Sequence, residues 1–439
     1  MTQATPTPFF PPEPKTFADA GVTEMETEGL VLKLLGGRGD LTGWDVAEHL
    51  KFPFGILEPM LQRLREEKLL THRSATRVND YMYQLTAAGR ERSRAETERC
   101  SYYGAVPISL KDYIASTRAQ TIEGQRPARE DLFRAFSDLS LPANLFERLG
   151  PAVASGRGMF LYGAPGNGKS SIAERITRAF GEHFWIPRAL GIDGEIVRLF
   201  DPMNHEELPM PPRNSLLDET RHDRRWVRIK RPTIVSGGEL TMDNLEISMN
   251  TTTRVGEAPL QLKANCGTLV IDDLGRQRVR MNDLLNRLIV PLEKRYDYLG
   301  LANGKKIRVP FDMLVVFSTN LEPRDLVDEA FLRRIPYKIE VTDPGEDEYR
   351  MLFDHMCRVL GVTQMKEALD HLIEKHYKAV GRPFRRCQPR DLLLQVKSYC
   401  AYQNVPAVAT LKSLDFAVDN YFALLPANAA PDAARATTK

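Results

Sequence analysis

Met159-Phe160-Leu161-Tyr162, followed at once by Gly163-Ala164-Pro165-Gly166-Asn167-Gly168-Lys169-Ser170, is the stretch that decides the fold. The apolar run predicts a strand. The segment SIAERITRAF that follows carries Ile172, Ile176, Ala179 and Phe180 at helical spacing. A strand, a glycine-rich loop ending in Gly-Lys-Ser and a helix together form the context in which a phosphate-binding loop works. Glycines let backbone N–H groups curl around phosphate oxygens, and the helix N-terminus adds the positive end of its dipole. The expected phosphate-binding set is Gly163, Ala164, Pro165, Gly166, Asn167, Gly168, Lys169, Ser170 and Ser171. In such a loop Lys169 reaches the β- and γ-phosphates of ATP and the Ser170 hydroxyl ligates Mg²⁺.

A second run, Gly267-Thr268-Leu269-Val270-Ile271-Asp272-Asp273-Leu274-Gly275, reads as a buried parallel strand ending in two acids. Functional groups belong at the carboxyl end of such a strand. Asp272 is expected to hold Mg²⁺ and Asp273 to polarise the attacking water. Glutamate is the usual residue at the latter position, so Asp273 is one methylene short.

From about 131 to 342, short β-rich runs alternate with helical ones, which predicts an α/β fold with a parallel sheet wrapped by helices. Residues 343–425 read as all helix. Over 131–425 the chain resembles the AAA+ P-loop ATPases. The resemblance implies that Asn320, after the strand Met313-Leu314-Val315-Val316-Phe317, is a sensor of the γ-phosphate or the attacking water. It implies that Asp328-Glu329-Ala330-Phe331-Leu332-Arg333-Arg334-Ile335 ends in an arginine finger, with Arg334 the better match and Arg333 the runner-up. It implies that Arg390, in Gln388-Pro389-Arg390-Asp391, reaches the γ-phosphate from a helical lid. Ordinary alternatives are a turn asparagine, a charge pair at a helix C-terminus and a surface arginine. The resemblance also implies a homo-oligomer, most simply a hexameric ring.

Asn303-Gly304 between two short apolar runs predicts a hairpin just before the Asn320 strand. That placement is similar to the AAA+ branch containing MoxR-type chaperones and enhancer-binding activators. The GAFTGA loop of the activators is absent. FLYGAPGNGKSSIAE, APLQLKAN, VIDDLGRQR, PLEKR, FSTNLEP and DEAFLRRI together resemble a bacterial group of ATPases carrying a chaperone activity name and linked to Flp pilus assembly.

Residues 21–98 predict three helices and a β-hairpin, an order that resembles the winged-helix family. Eleven Lys or Arg stand there against thirteen Asp or Glu, a net charge of −2. A DNA-reading surface calls for the opposite sign, and the third helix begins Pro53-Phe54-Gly55-Ile56-Leu57-Glu58 without basic residues. Protein docking or organisation of an oligomer is the favoured role. Residues 1–20 and 426–439 lack periodicity and are expected to be disordered; 99–130 reads as a linker with one short helix. Between the two strands, Phe184 to Leu190 and Glu195 to Phe200 predict a hairpin around Asp193-Gly194. A basic cluster of Arg221, Arg224, Arg225, Arg228, Lys230 and Arg231 surrounds Asp223 and Trp226, and Arg276, Arg278 and Arg280 follow the acids. These groups fit either an acidic or nucleic-acid partner, or a charged edge strand.

The 439 residues, 42% of them hydrophobic, allow two to four domains with real cores. A formal net charge of +2 provides no global field toward nucleic acid or membrane. Five scattered cysteines without a CxxC pair argue against a disulfide framework and a structural zinc site. With no secretory signal at the start and no apolar run of ~20 residues, a cytoplasmic protein is expected. Three function classes follow: a ring ATPase that remodels a protein partner, a nucleic-acid ATPase of the helicase- or transposase-loader kind, and an ATP-controlled DNA-binding switch.

Overall fold

The computed structural model describes residues 9–77, 80–139, 141–210, 221–326 and 329–423. The N-terminal unit runs α1 (Glu24–Arg38), β1 (Leu41–Thr42), α2 (Gly43–Leu50), α3 (Phe54–Glu66), β2 (Leu70–Arg77), β3 (Asp80–Leu85) and α4 (Ala87–Arg99). Thr23 and Glu26 form a capping box that starts α1. The strands pair antiparallel in the order β1-β3-β2. Leu30, Leu34, Val46, Leu50, Leu57, Leu61 and Leu64 fill the space between helices and sheet, so the apolar residues read as three helices do converge. Trp44 is half exposed, stacked on Phe54.

The expectation of a disordered arm over 1–20 differs from the structure at 9–20. Phe9 packs edge-on against Trp226 at 5.6 Å, Phe10 against Trp185 at 6.0 Å, and Phe17 stacks on Phe52 at 5.7 Å. Composition alone did not register that these aromatic rings have distant aromatic partners, whose burial outweighs the entropy of ordering the arm. Residues 1–8 and 424–439, which hold the rest of the expected arm and all of the expected tail, lie outside the described residues.

The connector holds β4 (Ile108–Ser109), α5 (Leu110–Ala119) and the start of α6 (Arg129–Ala135), which α7 (Ala143–Ala154) follows. Next come β5 (Met159–Tyr162), α8 (Lys169–Ile176), β6 (His183–Pro187), β7 (Ala189–Ile192), β8 (Glu195–Arg198), β9 (Trp226–Lys230) and β10 (Thr233–Ser236). They lead to β11 (Ser248–Met249), β12 (Gly256–Glu257), α9 (Leu260–Lys263), β13 (Thr268–Ile271), α10 (Met281–Lys294), β14 (Tyr296–Gly300), β15 (Lys306–Pro310) and β16 (Leu314–Thr319). The α/β part closes with α11 (Pro323–Leu326), α12 (Glu329–Leu332) and β17 (Tyr337–Glu340).

The central sheet has five parallel strands in the order β10-β13-β16-β5-β17. Both faces are covered, so the strands read as continuous apolar runs. Met159, Leu161, Val270, Leu314 and Val316 face a core with Leu149, Ile172 and Ile176. Phe160, Leu269, Ile271, Val315 and Phe317 face the other way, onto Leu284, Leu285 and Leu288 of α10. The expected α/β fold with a phosphate-loop sheet is therefore present.

The β14-β15 hairpin sits where Asn303-Gly304 predicts it. The other predicted hairpin is half right. β7 and β8 pair around Asp193 and Gly194, both at positive φ as a tight hairpin turn needs. β6, however, pairs with β9 rather than with β8. A second sheet, β11-β12-β8-β7-β4, recruits a strand from the connector. The C-terminal part, expected to be all helix, consists of α13 (Glu346–Leu360), α14 (Lys366–Ile373), α15 (Gln388–Tyr402) and α16 (Leu411–Tyr421), joined chiefly through Tyr349, Phe353, Leu372, Leu392, Val396 and Leu414. It also holds a short parallel pair, β18 (Thr363–Gln364) with β19 (Val408–Ala409), too brief to show a strand pattern in the sequence. No helix among the described residues is long and apolar enough to cross a membrane.

Candidate active site

The loop leaves β5 through Gly163 at φ 130°, where a Cβ would stand 2.6 Å from the Val341 carbonyl oxygen. At Gly166, φ 85°, a Cβ would meet the Cys387 sulfur at 2.6 Å. Both positions need glycine, the first for approach to the chain after β17 and the second for approach to the lid. Gly168 precedes α8, whose first two residues are Lys169 and Ser170.

The sheet order explains how the distant acids reach this loop. β16 lies between β5 and β13, so the residue at its carboxyl end stands between the loop and the two aspartates. That residue is Asn320. Its Oδ1 accepts from Lys169 Nζ at 2.8 Å, and its Nδ2 donates to Asp273 Oδ1 at 3.4 Å. Lys169 also donates to the Gly163 and Ala164 carbonyls at 2.9 and 3.0 Å. Burial pulls its pKa below the ordinary lysine value; Asp272 and Asp273 oppose this, and Arg385 adds to it. Ser170 Oγ donates to Asp272 Oδ2 at 2.6 Å, so the two expected metal ligands already touch.

Asp273 adopts φ 49°, an uncommon conformation for a residue with a Cβ and one that aspartate tolerates better than most. Gln277 holds this turn. Its Nε2 donates to the Asp272 and Asp273 carbonyls at 2.8 and 3.1 Å, and its Oε1 accepts from Gly275 N–H at 2.8 Å. Gln277 carries no motif signal of its own and emerges only from the turn geometry.

Residues 165–171, Asp272, Asp273 and Asn320 line one cavity of about 520 Å³, within the range usual for small-molecule sites. Asp272, Asp273, Arg276 and Asn320 are among its polar lining, and Leu139, Leu141, Leu352 and Met356 are among its apolar lining. Arg386, Cys387 and Arg390 come from the lid side. Arg390 lies at the rim, largely exposed and paired with Asp391 at 3.1 Å. Arg386, which sequence reasoning missed, is more buried and pairs with Glu348 of α13. Asn167 joins loop to lid. Its Nδ2 donates to Asp343 Oδ1 at 2.6 Å, its Oδ1 accepts from Arg386 N–H at 3.4 Å, and Cys387 N–H donates to the Gly166 carbonyl at 2.9 Å.

Arg333 and Arg334 do not line this cavity. Arg334 pairs with Glu293 of α10 at 3.2 Å, and Arg333 is exposed. Asp328, in the segment expected to end in the finger, lies outside the described residues.

Much of the basic cluster is engaged in internal contacts. Arg225 is buried, holds Asp223 through three hydrogen bonds of 2.7–3.0 Å, and donates to the Ala20 carbonyl. Arg231 donates to the Cys266 carbonyl at 2.7 Å, Arg228 to that of Pro209 at 2.8 Å, and Lys230 pairs with Glu206. Arg224 pairs with Glu48 of the N-terminal unit. Arg225 and Arg231 are thus structural, while Arg221 and Lys230 are exposed and β9 forms a two-stranded sheet with β6.

A hydroxyl, two carboxylates and a glycine cradle at a helix start are the hard-oxygen and N–H donor set that suits Mg²⁺ and phosphates. Residues 345–420 match a family described as a domain of unknown function (DUF8689). No curated protein matches. Among solved structures, the chain is similar to NtrX from Brucella abortus, with TM-score 0.42 and 12% identity over 66% of this chain and 57% of that one. It is also similar to the same protein in complex with ATP, with TM-score 0.40 and 13% identity over 67% and 61%. Thermotoga maritima RuvB gives 0.37 and 11% over 63% and 69%. The chain thus spans a little over half of the first NtrX structure.

Proposed function

We propose that this chain is a Mg²⁺-dependent ATP hydrolase of the AAA+ kind that couples its ATP cycle to the remodelling of a protein partner, working in the cytoplasm as a ring of identical subunits, most simply a hexamer. The observation that carries the reading is the convergence of Lys169 Nζ, Ser170 Oγ, Asp272, Asp273 and Asn320 on one cavity. ATP fits with its phosphates along Gly163–Ser171 and its base toward Leu139, Leu141, Leu352 and Met356. Lys169 exchanges its loop carbonyls for β- and γ-phosphate oxygens. Ser170 and Asp272 would hold Mg²⁺, which when bound neutralises charge on the phosphate oxygens. Asp273, hydrogen-bonded to Asn320, orients the water that attacks. Arg390 and Arg386 close from the lid. Arg334, which does not line its own cavity, acts in a neighbouring subunit's site.

The α-β-α-α-β-β order of the N-terminal unit supports a winged-helix-like docking module. Its net negative charge and the exposed Trp44 favour protein over DNA. The engagement of Arg224, Arg225, Arg228, Lys230 and Arg231 in contacts within the chain weighs against the nucleic-acid alternative. The test is turnover: Lys169→Ala should abolish Mg²⁺-dependent ATP hydrolysis, and unchanged turnover would remove the site. Capture of a partner by the hydrolysis-deficient Asp273→Asn chain, and its loss on deleting residues 21–98, would test the docking role.

A further inference from the structure

Away from the ATP cavity, three side chains of the helical lid converge on one point. Asp415 Oδ1, on α16, accepts from His371 Nε2 at 2.9 Å and from His376 Nε2 at 2.5 Å. The potential ligand atoms of His371, His376 and Asp415 all lie within 4.8 Å of one another, and each residue is only partly accessible.

The backbone is shaped for this meeting. Five residues along an α-helix turn the chain about 140° past a full circle, which would put His371 and His376 on different faces. Here α14 passes into a π-helical turn over Glu374–Lys378, with Ala379 N–H bonded to the Glu374 carbonyl at 2.9 Å. That wider i→i+5 turn brings the two imidazoles onto the face that meets α16. Single π turns are rare and recur at functional sites.

We propose that His371, His376 and Asp415 form a binding site for a divalent transition ion of the zinc class, bridging α14 and α16. Two imidazole nitrogens and one carboxylate oxygen are a set that zinc accepts, leaving a fourth position for water. Bond lengths of about 2.0–2.2 Å need ligand atoms somewhat more than 3 Å apart, so the Asp415 oxygen retreats from the imidazoles by less than about 1 Å. Lys375 Nζ holds the other Asp415 oxygen at 3.1 Å and fixes the carboxylate's orientation, as outer partners of metal ligands do. The site uses none of the five cysteines.

The site is tied to the ATP cavity by one short path. Tyr377, next to His376, donates to Gln388 Oε1 at 2.9 Å, and the same oxygen accepts from Arg385 N–H at 2.8 Å. Arg385 and Arg386 lead to Cys387, whose N–H caps the Gly166 carbonyl. An ion here would stiffen the lid at the point from which it grips the phosphate loop.

The test uses the full, untagged chain freed of metal by a chelator. Zinc chloride is titrated calorimetrically, and cobalt(II) serves as a spectroscopic substitute. The expected result is one equivalent bound, a higher Tm at about a hundredfold excess over Kd, and cobalt bands of tetrahedral nitrogen and oxygen ligation. His371→Gln, His376→Gln and Asp415→Asn should each weaken binding at least about tenfold, while His72→Gln leaves it unchanged. No binding and no Tm shift in the unmutated chain would overturn the proposal. So would unchanged affinity in the three variants, or a thiolate charge-transfer band in the cobalt spectrum. The spectrum of the unmutated chain decides the matter even where a variant does not fold.

Discussion

Asn167→Ala tests whether the lid's grip on the phosphate loop contributes to nucleotide affinity. Asn167 is fully buried, and its amide bridges Asp343 and the Arg386 backbone. The 2.6 Å bond to Asp343 is charge-assisted, a class worth about 1.5–3 kcal/mol. Asp343 keeps its pairing with Arg385, so the loss falls at the lower end. The 3.4 Å bond from Arg386 N–H is long and adds about 0.5 kcal/mol. The sum, about 2 kcal/mol, corresponds to roughly a thirtyfold change in an equilibrium constant. The Cys387–Gly166 backbone bond survives, so the lid is loosened rather than released. Titration of a fluorescent ATP analogue in Mg²⁺ should show Kd weakened by up to about thirtyfold, with circular dichroism unchanged. A Kd within about threefold of the unmutated chain, less than 1 kcal/mol, would refute the idea that this bridge supports binding.

Asp273→Asn should bind the same analogue with near-normal affinity yet hydrolyse ATP barely at all; near-normal turnover would make another acid the base. Arg334→Ala and Asp273→Asn proteins should each be nearly inactive alone and partly active when mixed, because some interfaces then join an intact site to an intact finger. An arginine aimed at this transition state is worth ~10³–10⁵ in rate. Co-assembly without recovery would rule out Arg334 as a finger between subunits and turn the mixing experiment to Arg333→Ala. His205 Nδ1 accepts from Asp201 N–H at 3.0 Å while Nε2 lies 3.0 Å from the Lys263 carbonyl, an arrangement that suits neutral imidazole protonated on Nε2. Burial holds its pKa below the ordinary value of 6.5, with the Lys263 carbonyl and Asp201 opposing. The unfolded chain then binds the extra proton first, so this contribution is complete above that ordinary value. It is lost as pH falls below it, by at most about 1.4 kcal/mol per pH unit. Denaturant melts should show a shallower acid loss in His205→Gln, and an identical pH profile would remove His205 as its source.

Local sequence determined what depends on short-range chemistry. The glycines of the phosphate loop, the Lys169-Ser170 pair and the two acids after an apolar strand were legible because each role needs a particular residue type at a fixed spacing from its own strand or helix. The alternation across a doubly covered sheet was legible for the same reason. Tertiary structure decided everything that depends on which distant segments meet. Strand order alone put Asn320 between Lys169 and Asp273. Gln277, Arg386 and the second role of Asn167 showed only once the Asp272-Asp273 turn and the lid were in place, because an amide or guanidinium carries no periodic signal. The basic cluster read as a charged surface in one dimension, yet Arg225 is buried on Asp223, since the partners that neutralise a charge can lie anywhere along the chain. Phe9, Phe10 and Phe17 belonged to an aperiodic stretch until Trp185, Trp226 and Phe52 gave them a surface. Likewise His371 and His376 face Asp415 together across a π turn over Glu374–Lys378, a backbone irregularity that no residue spacing announces.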